Sequence, residues 1–280
     1  MKTNAFIRMA LLGALTVFVM QSCSNDDDPI QQEPETNFTV RPDFATLDTR
    51  PDEVIADFKI TDQHTKPVPL NSLKSTGKYA LVIGISDYDG TANDLNYCDD
   101  DAIDWKNRLE TEGYTVITLL DQNATYSAIQ NAVYNLASLS SAGNEIAFCY
   151  SGHGSRGNII SSDLYYINYS WFETTFANAA STKMMFCFDA CQIGQMTALD
   201  APGRVVAVAS NRRLYSYDGD ASMQNGVFTY YMMEGFDQVG YIYLEPDCRY
   251  AIDNMELWAS YYKIRVAPSY IDSYAGDFDL

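Results

Sequence analysis

Two apolar runs end in residues that could do chemistry. "EIAFCY" leads into "SGHGS", which sets His153 between Gly152 and Gly154, and "KMMFCF" leads into "DACQIG", which sets Cys191 in the same kind of place. The flanking glycines let the backbone turn tightly and leave the imidazole accessible. A thiol beside an imidazole can act as a nucleophile, because the thiolate is the reactive form and histidine can take up its proton. The chain has 2 histidines, and the other, His64, lies in the polar "TDQHTKP" ahead of both runs, so any Cys/His chemistry falls to His153. A lone histidine in a turn or a lone small buried cysteine is an ordinary structural residue. Two glycine-flanked strand ends in one α/β domain favour the pair.

Acids surround the same positions. Asp189 stands two residues before Cys191, and "CDDDAID" sets Asp99, Asp100 and Asp101 directly after Cys98. An acid so near a nucleophile favours a cationic substrate side chain, with arginine slightly ahead of lysine because its planar fork matches a carboxylate. The three consecutive acids also suit a helix start, where the dipole stabilises them without any ligand. No Cys or His pair has the spacing of metal ligands, so no metal site is expected. Cys149 and Cys187 fall inside apolar runs as buried thiols, and Cys248 follows an acidic turn. Disulfides are not expected, since a domain of this size does not need staples and Cys191 should be free.

The elements that must position these residues alternate along the chain. "KYALVIGIS" is a continuous apolar run, as in a parallel strand buried on both faces. "YCDDDAIDWKNRLETEG" carries Ala102, Ile103, Trp105 and Leu109 at helical spacing, ends at Gly113 and leads into the strand "YTVITLLD". "TYSAIQNAVYNLASL" repeats the helical pattern with Ile129, Val133 and Leu136. "RVVAVAS" is a further strand and "NGVFTYYMMEGF" a further helix. The expected class is α/β, with a mostly parallel central sheet and helices on both faces. In such sheets chemistry sits beyond the carboxyl ends of the strands, where His153 and Cys191 fall.

A chain of 280 residues with 47% hydrophobic content can bury one sizeable core. Its formal net charge of -19 excludes a nucleic-acid partner, which needs a basic surface, and suits a basic ligand or peptide. Lys2, Arg8 and the apolar "MALLGALTVFVM" read as an export address too short to span a bilayer comfortably. The expected organisation is a signal peptide over 1–22, a flexible acidic tether over 23–49, an N-terminal extension over 50–76 and the main domain over 77–280. "DEVIADFKIT" in the extension reads as a strand or short helix, and an N-terminal segment of this kind could cover an active site.

Several ordered blocks carry a resemblance. "YALVIGISDYDGTANDLNYCDDDAIDWKNRLETEGYTVITLLDQNAT", "YSGHG", "FDAC" and "NGVFTYYMMEGF", over roughly residues 77 to 240, resemble the caspase-like cysteine peptidases of the metacaspase type, specifically their prokaryotic members. The resemblance implies a caspase-hemoglobinase fold and a catalytic dyad of His153 and Cys191 that cuts peptide bonds through an acyl-enzyme. It further implies oxyanion donors at the Gly154 and Cys191 N–H groups, and an S1 pocket from Cys98, Asp101, Ser151 and Asp189. Cleavage after Arg or Lys follows, rather than after Asp. No cofactor is implied. Calcium activation is poorly supported, because "SRGNIISSDLYYINYSWFETTF" is short of carboxylates, with Asp163 almost alone.

Many relatives mature by self-cleavage after a basic residue. Arg156, Lys183, Arg204, Arg212 and Arg213 lie near the site, with "SNRRLYSYDGD" the most loop-like stretch. Small Ser22 before Cys23 resembles a bacterial lipoprotein signal, which implies lipidation at Cys23 and a protein held on the outer membrane. "SNDDD" is similar to an acidic surface-export tag and equally suits a solvated linker. The oligomeric state is not legible. Three alternatives stay open: a clostripain-like peptidase of the same clan, an inactive caspase-like surface binding protein, and an adhesion lipoprotein suggested by the 21 tyrosines.

Overall fold

Strands and helices alternate much as the periodicity predicts, and the computed structural model describes them over residues 37–60 and 76–280. The expected signal peptide, Cys23, the acidic run and His64 lie outside the described residues. The chain opens with β1 (Thr39–Val40), α1 (Phe44–Leu47), α2 (Asp52–Asp57) and β2 (Lys59–Ile60). It continues through β3 (Lys78–Gly84), α3 (Cys98–Thr111), β4 (Thr115–Leu120), α4 (Tyr126–Leu139) and β5 (Glu145–Ser151). Short strands β6 (Gly154–Ser155), β7 (Asn158–Ile160) and β8 (Tyr166–Asn168) lead into α5 (Tyr169–Thr175) and β9 (Lys183–Asp189). The remaining elements are β10 (Arg204–Val208), β11 (Tyr217–Asp218), α6 (Val227–Glu234), α7 (Leu244–Tyr261) and β12 (Ser269–Asp272).

Six strands form the central sheet in the order β12-β10-β9-β5-β3-β4. All its pairings are parallel except that of β12 on the edge. Alternate residues of each strand feed two cores. Leu81, Ile83, Ile146, Phe148, Met184, Phe186, Val206 and Val208 pack on one face with Ile129 and Val133 of α4 and Trp171 and Phe172 of α5. Ala80, Val82, Ala147, Cys149, Met185, Cys187, Val205 and Ala207 pack on the other with Trp105 of α3, Phe228 of α6 and Met255 of α7. Burial on both faces is why these strands read as unbroken apolar runs. Cys149 and Cys187 lie in that second core, where burial pushes both thiols well up. The cysteines among the described residues are all free thiols.

Two expectations are corrected. Ile103 is 39% exposed, and on α3 the buried stripe runs through Cys98, Asp101, Ala102, Trp105 and Leu109. An aspartate therefore holds a slot that the apolar pattern gives to an isoleucine. The last part of the 23–49 stretch is not a free tether either: β1 pairs with β11, and Arg41 and Phe44 are fully buried. β2 joins β8, β7 and β6 in a second, four-stranded sheet. Among the described residues no helix is long and apolar enough to cross a membrane.

Phe186 is 1% exposed and packs edge-on against Phe176, with ring centroids 5.1 Å apart. Phe186→Ala is expected to cost about 3–5 kcal/mol of stability through lost burial and the cavity left behind. A fall in the midpoint of urea unfolding at unchanged slope would report it; an unchanged midpoint would contradict the packing described.

Candidate active site

The carboxyl ends of β5 and β9 bring the sequence candidates together. The two strands are neighbours and their last residues, Ser151 and Asp189, are paired across the parallel ladder. His153 and Cys191 each follow two residues later, beyond the sheet edge. Gly154 backs onto the Cys191 main chain so closely that any side chain there would collide with the Cys191 carbonyl. This close approach explains the glycine after the histidine.

His153 is fully buried and its Nε2 lies 2.7 Å from the Asn93 carbonyl oxygen. A carbonyl can only accept, so Nε2 carries the proton and the Nδ1 lone pair is the basic one. Among the described residues Nδ1 has no hydrogen-bond partner, although the Pro42 backbone is near enough to raise the proton affinity of the ring. Burial outweighs the help from Asn93 and Pro42 and lowers the imidazole to about 4. The Cys191 thiol is pushed up to about 12, again chiefly by burial, although the Ser216 N–H donates to its sulfur at 3.2 Å. Both groups are therefore neutral near pH 7.

The site is already filled by the chain itself. Cys191 Sγ donates to the carbonyl oxygen of Arg41 at 2.9 Å. Arg41 reaches past it into a closed acidic pocket. Its Nη1 donates to Ser151 Oγ at 3.2 Å, to Asp189 Oδ1 at 3.1 Å and to the Asp189 carbonyl at 2.8 Å. Its Nη2 donates to Asp101 Oδ2 at 3.1 Å and its Nε to Asp218 Oδ1 at 2.7 Å. Burial works against the Arg41 charge, but Asp218, Asp189 and Asp101 more than offset it and hold the guanidinium well above its usual range. Burial pushes Asp101 up to about 7 even though Arg41 pulls the other way.

A second ring of donors holds the carboxylates. Ser151 Oγ donates to Asp101 Oδ2 at 2.6 Å, and the Asn225 side chain and the Gly226 N–H donate to its other oxygen. Thr229 donates to Asp189 Oδ2 through both its N–H and its hydroxyl, and Ser216 donates to Oδ1. The Asn96 N–H donates to Asp218 Oδ2. Gly226 caps α6 and Thr229 lies in its first turn, so the unpaired N–H groups and positive end of that helix face two of the acids. Three of the four expected pocket residues, Asp101, Ser151 and Asp189, touch the guanidinium. Cys98 is fully buried beside them, with its sulfur donating to the Asn96 carbonyl at 3.7 Å.

The rest of the segment is also held. The Arg41 N–H donates to Ser216 O, and β1 runs antiparallel to β11 with Val40 opposite Tyr217. Phe38 packs on Tyr217, Trp258 and Tyr262 at ring centroid distances of 5.8, 5.0 and 4.7 Å. After Arg41, Asp43 Oδ2 accepts from the Gln192 side chain at 2.9 Å and the buried Phe44 ring lies 5.3 Å from the His153 ring. Residues 38–44 therefore cover the site; of the 50–76 stretch considered for that role, residues 61–75 lie outside the described residues. Among the described residues, neither the Gly154 nor the Cys191 N–H donates to the Arg41 carbonyl, whose partner is the thiol. No group of three or more His, Cys, Asp or Glu among them is placed to hold a metal ion.

Sequence reasoning missed Arg41, Asp218, Gly226 and the Asn93 carbonyl. Arg41 carried one available signal: it is the first basic residue after Arg8, set between Phe38, Val40 and Phe44 in an otherwise polar stretch. Asp218 lay in a stretch read only for its arginines, and a backbone carbonyl leaves no trace in residue type.

The α/β sheet thus carries a thiol and an imidazole beyond neighbouring strand ends, over an acidic pocket that an arginine fills. The caspase domain family model matches residues 77–246, and the chain belongs to that family, whose members are cysteine peptidases. Among solved structures, protein GSU0716 from Geobacter sulfurreducens shares the fold, with a TM-score of 0.54 at 16% identity over 70% of this chain and 92% of its own. No curated protein matches the chain.

A Cβ on Gly226 would lie 2.5 Å from both Arg41 Nη2 and Asp189 Oδ2. Gly226→Ala is therefore expected to expel the Arg41 side chain and free residues 38–44. Exchange of the Arg41 amide, which donates to Ser216 O, should speed up by about tenfold or more, since each 1.4 kcal/mol of lost protection is a factor of ten. Unchanged exchange there would contradict the pocket described.

Proposed function

We propose that this chain is a cysteine endopeptidase that cuts after arginine, and that it prefers arginine to lysine. The observation that carries the reading is Arg41 itself: a peptide carbonyl meets the Cys191 thiol while the side chain of the same residue fills the acidic pocket. Cys191 as thiolate attacks the scissile carbonyl carbon, and the C–N bond breaks as the His153 imidazolium gives its proton to the leaving amine. Water, with its proton drawn off by His153, then hydrolyses the thioester and restores the thiol. Gly154 and Cys191 N–H groups are the oxyanion donors in this reading, engaged once the substrate oxygen becomes charged. Exposing the site returns both partners toward their ordinary proton affinities, so that a thiolate can form near neutral pH.

The preference for arginine rests on Asp218. Its carboxylate meets Nε, a donor that lysine lacks, while Asp101 and Asp189 meet the terminal nitrogens that either cation can supply. The Cys23 signal supports export and a lipid anchor on the bacterial outer membrane, which radiolabelled palmitate incorporation into the full chain, lost in Cys23→Ala, would test.

Peptides ending in a fluorogenic amide after Arg, Lys or Asp, offered to the chain carrying Arg41→Ala, separate the possibilities. Arginine peptides are expected to be cut fastest, aspartate peptides not at all, and Cys191→Ala should abolish cleavage. Adding Asp218→Asn should lower kcat/KM for arginine about 10- to 100-fold, the worth of one hydrogen bond to a charged group, and lower it far less for lysine. Equal losses for both would remove Asp218 from the preference. No cleavage of either basic peptide would overturn the peptidase reading.

A further inference from the structure

The segment over the active site is bound as a substrate would be, yet its bond at the thiol is of an unusual kind: the residue after Arg41 is Pro42. We propose that residues 38–44 are an inhibitor held in cis, which keeps the site closed because the Arg41–Pro42 bond resists the enzyme. This rests on the peptidase reading for the chemistry of the bond, though not for the occupancy of the pocket.

Three observations converge on this. The segment pairs with β11 as an extended, antiparallel strand, as a bound peptide can, while Phe38 packs on an aromatic cluster and Arg41 and Phe44 are fully buried. Among the described residues Arg41 brings the only cation paired with the three buried carboxylates, and each of its three nitrogens has an acid partner. The chain after the bond is anchored as well, through Asp43 on Gln192 and the buried Phe44. A good substrate must let its leaving amine go; this one holds it beside the thioester, where the amine can attack and restore the bond.

Proline adds a further obstacle. The ring fixes φ and leaves its nitrogen without an N–H, so the rotation and rehybridisation that turn the nitrogen lone pair toward the imidazole are resisted. Arg50 is followed by Pro51, and Lys66 by Pro67, so the same protection recurs at two more basic residues of the N-terminal stretch. Attachment in cis also gives the segment an effective concentration of about millimolar, against which a peptide in solution must compete.

The balance of cleavage makes the inference specific. Attack by Cys191 would form a C–S bond to the Arg41 carbonyl carbon, break the bond to the Pro42 nitrogen and pass a proton to that nitrogen. Water would then release Arg41 as a carboxylate and leave a new amino terminus on residue 42. With alanine at position 42, the pocket contacts and the hold on the chain after the bond stay intact, while the obstacle that proline adds is removed.

Two readouts on the full-length chain test this. Intact mass after purification and incubation with reductant is expected to show an uncut native chain, and a chain carrying Pro42→Ala cut between residues 41 and 42, with Cys191→Ala added to Pro42→Ala preventing the cut. Alkylation of Cys191 by iodoacetamide, read by peptide mapping, reports occupancy without requiring any peptidase activity. In the native chain it should be slow and rise about tenfold per pH unit between pH 7 and 10, as expected of a thiol held high. Arg41→Ala should accelerate it about tenfold or more at pH 7.5 by removing the tethered competitor. Arg41→Lys, which keeps a cation among the acids, guards against loss of the fold and should give an intermediate rate. Equal alkylation in all three chains would overturn the inhibitor, whatever the fate of peptides. Faster alkylation with no cut in Pro42→Ala and no cleavage of arginine peptides would instead place the failure in the peptidase reading. An uncut Pro42→Ala chain that does cleave arginine peptides once Arg41 is replaced would overturn the role given to Pro42.

Discussion

One buried guanidinium among three buried carboxylates is the constraint to which the rest of the molecule answers. Taking such charges out of water costs several kcal/mol for each, and close pairing offsets that only when the remaining lone pairs are also satisfied. Here Arg41 engages Asp101, Asp189 and Asp218 together, and hydroxyl, amide and backbone donors occupy the outer oxygens. Removing the cation alone would strand the acids, so the pocket must hold either a cation or water. Charge alone thus matches this pocket to the cation that fills it, Arg41.

The sheet makes this cluster possible. Ser151 and Asp189 lie side by side because β5 and β9 pair in register, and a slip of one residue would send Asp189 to the opposite face. Asp101 arrives from the first turn of α3, and the amino end of α6 supplies N–H groups to Asp101 and Asp189. The neutral thiol and imidazole follow from the same closure, since the segment that fills the pocket also excludes water from Cys191 and His153.

The legible parts of the site were those in which chemistry and local structure share one stretch of chain. "SGHGS" and "FDACQIG" announce strand ends, tight turns and reactive side chains at once, and their neighbours Ser151 and Asp189 come with them. Asp101 was half legible: acids suit any helix start, and only the three-dimensional stripe reveals that this one is buried where Ile103 was expected. Asp218 and Arg41 were illegible for a different reason. Each acts through partners far along the chain, 177 residues separating the two of them, and nothing local distinguishes either from a surface charge. The short strands β6 to β8 were missed as well, because elements of two or three residues are too brief to show a period.

The most direct test of the central claim is the solvent exchange of the Arg41 Nε–H, followed by NMR in the chain labelled with 15N-arginine and assigned through its loss in Arg41→Lys. The account predicts a slowly exchanging signal near neutral pH, held by Asp218, against rapid exchange for the exposed Arg212 and Arg213. An Arg41 signal that exchanges as fast as theirs would mean that the guanidinium is not seated among the acids, and the arginine-directed reading would lose its foundation.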